Sequence, residues 1–370
     1  MKVVIAAAGT GGHINPGIAI ANQIKMHEPN SEIVFIGTKR GLENDLVPRA
    51  GYKLFQIEAY GISRKMTLEN VRNFIKTFDS ISPVKKMMKE FKPDIVIGTG
   101  GYICVPAIMA AKKLNIPTAL HESNAFPGIA VKMFAKKVDA VFVGFKDVMS
   151  RIPNAKRIVL TGTPTKVGKM NMTDEQKNKI KQDLGLDNSL PMVLVFGGSQ
   201  GAKSVNEALI NIIKNNVDGY QIMWAAGPKQ YDVIKEELSK ANIDIDNIKN
   251  VKIVPYIYNM EEIMNTADVV VSRSGALTTT EIAKVGKPAI FIPFPFATEN
   301  HQEYNAKVLE KVGAAKIILD KDLTAESLNK EIHSIIEDKN KQVEMGKIAN
   351  TVAMNDVEET IYKEIKEIIK

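Results

Sequence analysis

The residues best suited to hold an anion lie between Ser272 and Asn305, SRSGALTTTEIAKVGKPAIFIPFPFATENHQEYN. A strand over Asp268–Ser272 runs into Gly275 and a helix that Gly286 stops and Pro288 cannot continue. Unpaired N–H groups and the positive dipole end make such a turn a natural seat for phosphate, and Arg273 adds a forked cation beside it. Leu277, Thr278 and Glu281 share roughly one helical face. Glu281 is therefore placed to accept from a ribose diol while the helix N-terminus holds a diphosphate. The polar run Thr298, Glu299, Asn300, His301, Gln302 offers partners to sugar hydroxyls. An ordinary βαβ unit with a good cap accounts for the same residues.

Two further loops carry the same chemistry. Gly9-Thr10-Gly11-Gly12-His13-Ile14 follows the strand Lys2–Ala7, and Gly98-Thr99-Gly100-Gly101-Tyr102-Ile103 follows the strand Asp94–Gly98. Two copies of one pattern at the carboxyl edge of a parallel sheet make adjacent nests of N–H donors that suit a diphosphate. The dinucleotide fingerprint is not met, because its third glycine would fall at Ile14 and no ribose-binding acid follows Glu32–Ile36. Lys39-Arg40 leaves only NADP in play for an oxidoreductase. His121-Glu122-Ser123-Asn124 is expected just past the strand Pro117–Leu120, either as site residues or as a helix cap.

These loops need a scaffold, and the chain provides βα alternation twice. Asn15 and Pro16 form an N-cap and first-position pair for the helix after the first strand. Leu68–Ile81 and Pro83–Lys92 read as helices, one striped by Phe74, Phe78 and Ile81, the other by Val84, Met87, Met88 and Phe91. Lys76, Lys85, Lys86, Lys89 and Lys92 decorate them, as solvated lysines or as a rim for anionic lipid headgroups. Asp139–Val143 and Arg157–Leu160 are further strands, and Thr161–Pro164 is an interdomain turn. The pattern restarts after the helical stretch Met170–Leu186. Met192–Phe196, the glycine loop Gly197–Ala202 and the helix Ser204–Asn215 lead it, with strands at Gln221–Ala225, Val251–Pro255, Val269–Ser272 and Ala289–Ile292. The expected fold is α/β: two doubly wound parallel-sheet domains facing a cleft.

Composition sets the bounds. The 370 residues are 45% hydrophobic and 25% charged, as in a globular chain with sizeable cores. No apolar run reaches the ~18 residues of a membrane span, and Met1–Ala8 reads as a strand, not a signal peptide. Cys104 is the single cysteine, which fits a reducing cytoplasm and argues against a thiolate metal cage. Residues 1–165 hold 23 Lys and Arg against 12 Asp and Glu (+11), while 166–370 hold 26 against 30 (−4). The basic half wants an anionic partner, and without interleaved aromatics nucleic acid is a poor one. The Asp244/Asp246 and Asp320/Asp322 pairs resemble a divalent-metal motif but sit among turn residues.

GTGGHINP, GTGGYICVP, HESNAFPG, TGTP, GGSQGA, SRSGALTTTEI and HQEYNA occur in that order. As a set, over essentially the whole chain, they resemble the bacterial N-acetylglucosaminyltransferases of peptidoglycan synthesis that convert lipid I to lipid II. The resemblance implies a GT-B fold, with an acceptor- and membrane-side domain at 1–163, a UDP-GlcNAc-binding domain at 164–356 and a helix 357–370 packing back on the first. It implies inverting transfer of GlcNAc from UDP-GlcNAc to the MurNAc 4-hydroxyl of undecaprenyl-diphosphate-MurNAc-pentapeptide, at the cytoplasmic face of the cell membrane. No cofactor is implied, and help from a divalent ion stays open.

By position, the resemblance sets Thr10, Gly11 and Gly12 beside the donor sugar and diphosphate, Ser199 on the diphosphate and Ile257 on the uracil. Ala276, Leu277, Thr278, Thr279, Thr280 and Glu281 cup the nucleoside, Gln302 takes the GlcNAc hydroxyls, and Asn124 lies between donor and acceptor. Gly100, Gly101 and Tyr102 are assigned to the acceptor diphosphate, and His13 and Glu122 to catalysis, His13 as first choice of base because an imidazole titrates near working pH. The other role open to His13 is donation to the diphosphate without proton transfer. Lys166 stands where the family often has Arg, and Ser123 and His301 where many members have Gln. A UDP-GlcNAc 2-epimerase or a non-catalytic nucleotide-sugar sensor would use the same donor without an acceptor.

Overall fold

The computed structural model describes residues 1–60, 68–198, 201–245 and 247–370. They form two compact units, Met1–Thr165 with Met354–Lys370, and Lys166–Ala353.

Unit 1 holds seven parallel strands: β1 (Lys2–Ala6), β2 (Glu32–Thr38), β3 (Lys53–Ile57), β4 (Ile95–Gly98), β5 (Thr118–Glu122), β6 (Ala140–Val143) and β7 (Ile158–Leu160). Their spatial order is β3-β2-β1-β4-β5-β6-β7. Along β1, Val4 and Ala6 enter one apolar core while Val3 and Ile5 enter another. That alternation with no polar face marks a parallel sheet covered on both sides. The helices are α1 (Gly11–His27), α2 (Glu43–Arg49), α3 (Leu68–Asp79), α4 (Ile81–Phe91), α5 (Cys104–Lys113) and α6 (Ile129–Phe134).

Unit 2 repeats the plan with β8 (Met192–Phe196), β9 (Gln221–Ala225), β10 (Val251–Val254), β11 (Val269–Ser272), β12 (Ala289–Phe291) and β13 (Ala315–Ile317), ordered β10-β9-β8-β11-β12-β13. Its helices are α7 (Asp174–Asp183), α8 (Lys203–Lys214), α9 (Tyr231–Lys240), α10 (Met260–Thr266), α11 (Ala276–Val285), α12 (His301–Lys311), α13 (Ala325–Ile336) and α14 (Lys339–Val352). The last helix, α15 (Val357–Ile368), belongs to unit 1, where Val357, Ile361 and Ile365 join the core under α1. His27 of α1 stacks on Tyr362 with ring centroids 4.2 Å apart and meets Glu359 at 2.6 Å.

Several expectations shift. Helix α1 opens at Gly11, with Thr10 extended as its N-cap and its carbonyl taking the His13 and Ile14 amides, so Asn15 and Pro16 lie inside the helix. Gly9 (φ +95°) turns the chain sharply enough after β1 for the helix to begin at once. Strand β5 runs on to Glu122, because His121 and Glu122 pair with Phe142 and Val143. The break between α3 and α4 falls at Ser80, whose hydroxyl donates to the carbonyls of Glu58 and Lys76. Pro83 sits in the first turn of α4, where a missing N–H costs nothing. The helix expected across Met170–Leu186 is α7, started by a Thr173–Gln176 capping box. The edge strands β3 and β13 were not anticipated, β13 being only three residues long. Phe78, Met87 and Phe91 pack against the core that contains Ile81, Val84 and Met88.

Candidate active site

In unit 1 the chain turns from β1 leftward to β2 and rightward to β4, so the loops after β1 and β4 flank the topological switch point. The two repeated glycine loops are therefore neighbours, and they touch. Thr99 Oγ1 donates to the His13 carbonyl at 2.7 Å. The His13 imidazole lies against Gly100, where an added Cβ would come within 2.3 Å of Nδ1. Gly100 (φ +117°) and Gly101 (φ +79°) hold backbone shapes that L side chains rarely adopt. Tyr102 is half-buried against the core beneath. Thr10 is exposed and Gly11 and Gly12 are half-buried, at the end of α1 whose first amides lack helical acceptors. The nest is narrower than expected in one respect: the Gly9 N–H points to Glu43 Oε2 at 3.0 Å.

The third loop of this edge follows β5. His121 is fully buried, its Nε2 at 3.0 Å from the Gly162 carbonyl and its Nδ1 at 3.3 Å from Ser123 Oγ. Burial depresses its pKa to about 4, the Gly162 hydrogen bond opposing and the nearby His13 reinforcing. It is a neutral structural imidazole near neutral pH. Glu122 is buried, and burial raises its carboxyl while N–H donors pull against that. Those donors are the Asn124 backbone and side chain, each 3.0 Å from Oε1, and the Gly128 amide, 2.7 Å from Oε2. Both oxygens close the 122–128 loop around Asn124, so the Glu122 carboxylate clamps that loop.

In unit 2 the switch point lies between β8 and β11, again with a glycine loop on one side and the Arg273–Gly275 turn on the other. In the first, Gly198 (φ +84°) and Gly201 (φ +75°) are left-handed, and a Cβ on Gly201 would lie 2.6 Å from the Ala226 carbonyl. Ser199 lies outside the described residues, as does Asp246. Gly275 (φ −61°, ψ 148°) is the N-cap of α11, and Gly286 (φ +74°) ends it left-handed. Asn350 of α14 secures that end, its Nδ2 donating to the carbonyls of Ala283 at 2.7 Å and Lys284 at 3.0 Å.

The face of α11 sorts its residues. Leu277, Thr278 and Glu281 are half-buried on one side. Thr279 and Thr280 are buried, their hydroxyls donating back to Gly275 and Ala276 at 3.1 and 2.9 Å. Those two side chains pack inward, and Ala276 is likewise buried. Arg273 has partners within unit 2. Its Nη1 bonds the carbonyls of Ile292 and Pro293 and Asp320 Oδ1 at 2.5 Å, and Nη2 bonds Ser204 Oγ at 3.0 Å. The guanidinium pins the β11 turn to the segment after β12. Asp320 is engaged in the same network, consistent with turn duty.

Around Gln302 the polar run forms a framework. The Gln302 carbonyl accepts from Ser274 Oγ at 2.8 Å, its Oε1 accepts from the Phe294 amide at 3.0 Å, and Asn305 Nδ2 donates to the Ser274 carbonyl at 3.1 Å. His301 Nδ1 donates to Thr298 O at 2.5 Å, and burial lowers its pKa. Ile257 is buried in the unit 2 core. Lys166 is exposed at the first position of unit 2. Sequence reasoning missed Glu43, Ser204, Asn305 and Asn350; of these only Glu43 had a signal, the Gly37/Gly41 pair that leaves room for it. Among the described residues no three or more His, Cys, Asp and Glu gather to hold a metal, and no helix is long and apolar enough to cross a membrane.

Comparison with known proteins agrees with this geometry. Residues 3–143 match the glycosyltransferase family 28 N-terminal domain, and residues 192–361 match its C-terminal domain. The UDP-N-acetylglucosamine–N-acetylmuramyl-(pentapeptide) pyrophosphoryl-undecaprenol N-acetylglucosamine transferase of Acetivibrio thermocellus is 40% identical, covering 100% of this chain and 99% of that protein. The transferase of the same name from a Thermoanaerobacter species is 41% identical, with 100% of both chains covered. The crystal structure of Acinetobacter baumannii MurG is similar with TM-score 0.78 and 27% identity, over 99% of each chain. The fold class is GT-B, two Rossmann-like doubly wound units. The chain belongs to the family of UDP-N-acetylglucosamine–N-acetylmuramyl-(pentapeptide) pyrophosphoryl-undecaprenol N-acetylglucosamine transferases.

Proposed function

We propose that the protein moves N-acetylglucosamine from UDP-GlcNAc to the MurNAc 4-hydroxyl of undecaprenyl-diphosphate-MurNAc-pentapeptide, converting lipid I to lipid II in peptidoglycan synthesis. The observation that carries this is full-length identity of 40% to a transferase of that name. The reaction is a single displacement with inversion. The acceptor hydroxyl attacks the anomeric carbon, the bond to the UDP oxygen breaks, and the hydroxyl proton goes to His13. Departing negative charge is stabilised by the amides of the α11 N-terminus, with Ser199, Thr10, Gly11 and Gly12 on the same diphosphate and sugar. Glu281 holds the ribose, with Leu277 and Thr278 beside it on the same face of α11; Gln302 takes the GlcNAc hydroxyls and the Ile257 main chain takes the uracil. Gly100, Gly101 and Tyr102 receive the acceptor diphosphate, Asn124 sits at the reacting sugars, and Lys166 supplies a point charge in place of a guanidinium fork. The protein works peripherally at the cytoplasmic face of the membrane, with the lysines of α4 toward anionic headgroups.

The test is UDP release from UDP-GlcNAc by purified protein, with and without a short-chain lipid I analogue, and with UDP-glucose and UDP-GalNAc as control donors. Acceptor-dependent release confined to UDP-GlcNAc is expected. Tight UDP-GlcNAc binding with no acceptor-dependent release would sink the transferase reading and favour an epimerase or a sensor.

A further inference from the structure

Glu43 lies outside every loop discussed so far, yet its carboxylate organises one of them. It is the first residue of α2, which follows β2, and it is fully buried. One oxygen, Oε1, accepts from the Thr38 amide at 2.8 Å and the Thr38 hydroxyl at 2.7 Å. The other, Oε2, accepts from the Gly9 amide at 3.0 Å. The site is built around this side chain. A Cβ on Gly37 would lie 2.6 Å from Glu43 Cγ, and one on Gly41 would lie 1.9 Å from Oε2. Gly9 is left-handed (φ +95°) with open space where a side chain would go, and its amide is held by this bond.

We infer that Glu43 is a positioning residue: by holding the Gly9 amide inward it sets the Thr10–His13 turn and the pose of the His13 imidazole against Gly100. This rests on the transferase reading for its kinetic part, and on the structure alone for the rest. A buried carboxylate with three donors is worth more than a neutral acceptor, because charge-assisted bonds are the stronger ones. It also means the first glycine of this loop offers its amide to the protein. The groups left for a ligand begin at Thr10.

Glu43→Gln separates the two oxygens. The amide oxygen can keep both Thr38 donors, which leaves the Nε2 group facing the Gly9 N–H, donor against donor. The substitution therefore frees the loop while keeping the β2 end tied. Amide hydrogen exchange should quicken in a peptide covering Gly9–His13 and stay unchanged in Met192–Phe196. In the acceptor-dependent assay kcat should fall about tenfold or more, since small misplacements of reacting groups carry such losses, while KM for UDP-GlcNAc moves much less. Thr38→Val, which removes one hydroxyl donor and leaves Gly9 held, should keep kcat within about twofold of wild type on the same reasoning. Gly41→Ala displaces Oε2 directly and serves where Glu43→Gln does not fold. Unchanged exchange at Gly9–His13 in a folded variant overturns the inference, as does a kcat loss that merely follows the unfolded fraction. Wild-type protein without acceptor-dependent release would sink the transferase reading and leave the exchange result to decide the positioning role.

Discussion

At the scale of single residues, the two glycine loops act as one device. Gly100 is glycine for two separate reasons, its φ of +117° and the imidazole 2.3 Å from where a Cβ would be. Gly100→Ala should therefore reproduce much of the effect of His13→Ala, a fall in turnover of about 100-fold or more with donor affinity little changed, the range of a lost acid–base group. Steady-state kinetics with UDP-GlcNAc and lipid I analogue varied in turn will read both. Normal turnover in His13→Ala would remove that residue from the proton step. Glu43 also shapes the pH profile of stability. Burial pushes its pKa up, but the Gly9 and Thr38 hydrogen bonds outweigh that and hold it below the ordinary carboxylate range. A depressed folded value means the unfolded chain binds the proton more tightly. The stabilisation is then complete above the unfolded value of about 4.3 and is lost as pH falls through the folded one. Denaturant melts from about pH 6 to pH 3 should show a shallower acid loss in Glu43→Gln than in wild type.

At the scale of elements, helix α11 shows how one sequence motif divides its members between a half-buried and a buried face. SRSGALTTTEI marks the turn and the helix start correctly, and a helix with one half-buried and one buried face does not turn the side chains of all six residues 276–281 to the same side. Thr280→Val should leave the UDP-GlcNAc KM within about twofold, whereas Glu281→Ala should raise it about tenfold, the cost of a lost charged hydrogen bond. Equal effects in the two variants would restore Thr280 to the site. The strands and glycine turns were legible because central parallel strands are continuous apolar runs bounded by glycine. The alternation Lys53–Ile57 was legible in principle, but it lies at a sheet edge where the apolar signal is weakest. The end of β5 was not legible, since His121 and Glu122 are polar residues buried by pairing with Phe142 and Val143. The Arg273 network was not legible because nothing local announces Asp320, 47 residues away, as its partner.

At the scale of the whole molecule, the chain closes on its starting unit through α15. Ile361 is 1% exposed beneath α1. Ile361→Ala should cost about 2–5 kcal/mol in urea unfolding, the usual range for a buried isoleucine cut to alanine. A loss under about 1 kcal/mol would mean α15 contributes little to unit 1. Charge is the other property that belongs to the whole. Residues 1–165 carry 23 Lys and Arg against 12 Asp and Glu. On α4 the apolar side faces the core, leaving Lys86, Lys89 and Lys92 exposed and Lys85 half-exposed, with Ile75 of α3 54% exposed nearby. Basic residues near an anionic bilayer contribute about 1 kcal/mol each. Replacing Lys85, Lys86 and Lys89 together by Gln should then weaken partition onto phosphatidylserine-containing vesicles by about two orders of magnitude. Binding of the unaltered protein should fall as salt shortens the Debye length from about 10 Å at 0.1 M. UDP release with a water-soluble acceptor should be unaffected by the triple substitution, because none of those lysines belongs to either switch-point site. Vesicle binding that ignores both salt and the three lysines would place membrane attachment elsewhere on the protein and make the positive half of the chain a solubility feature.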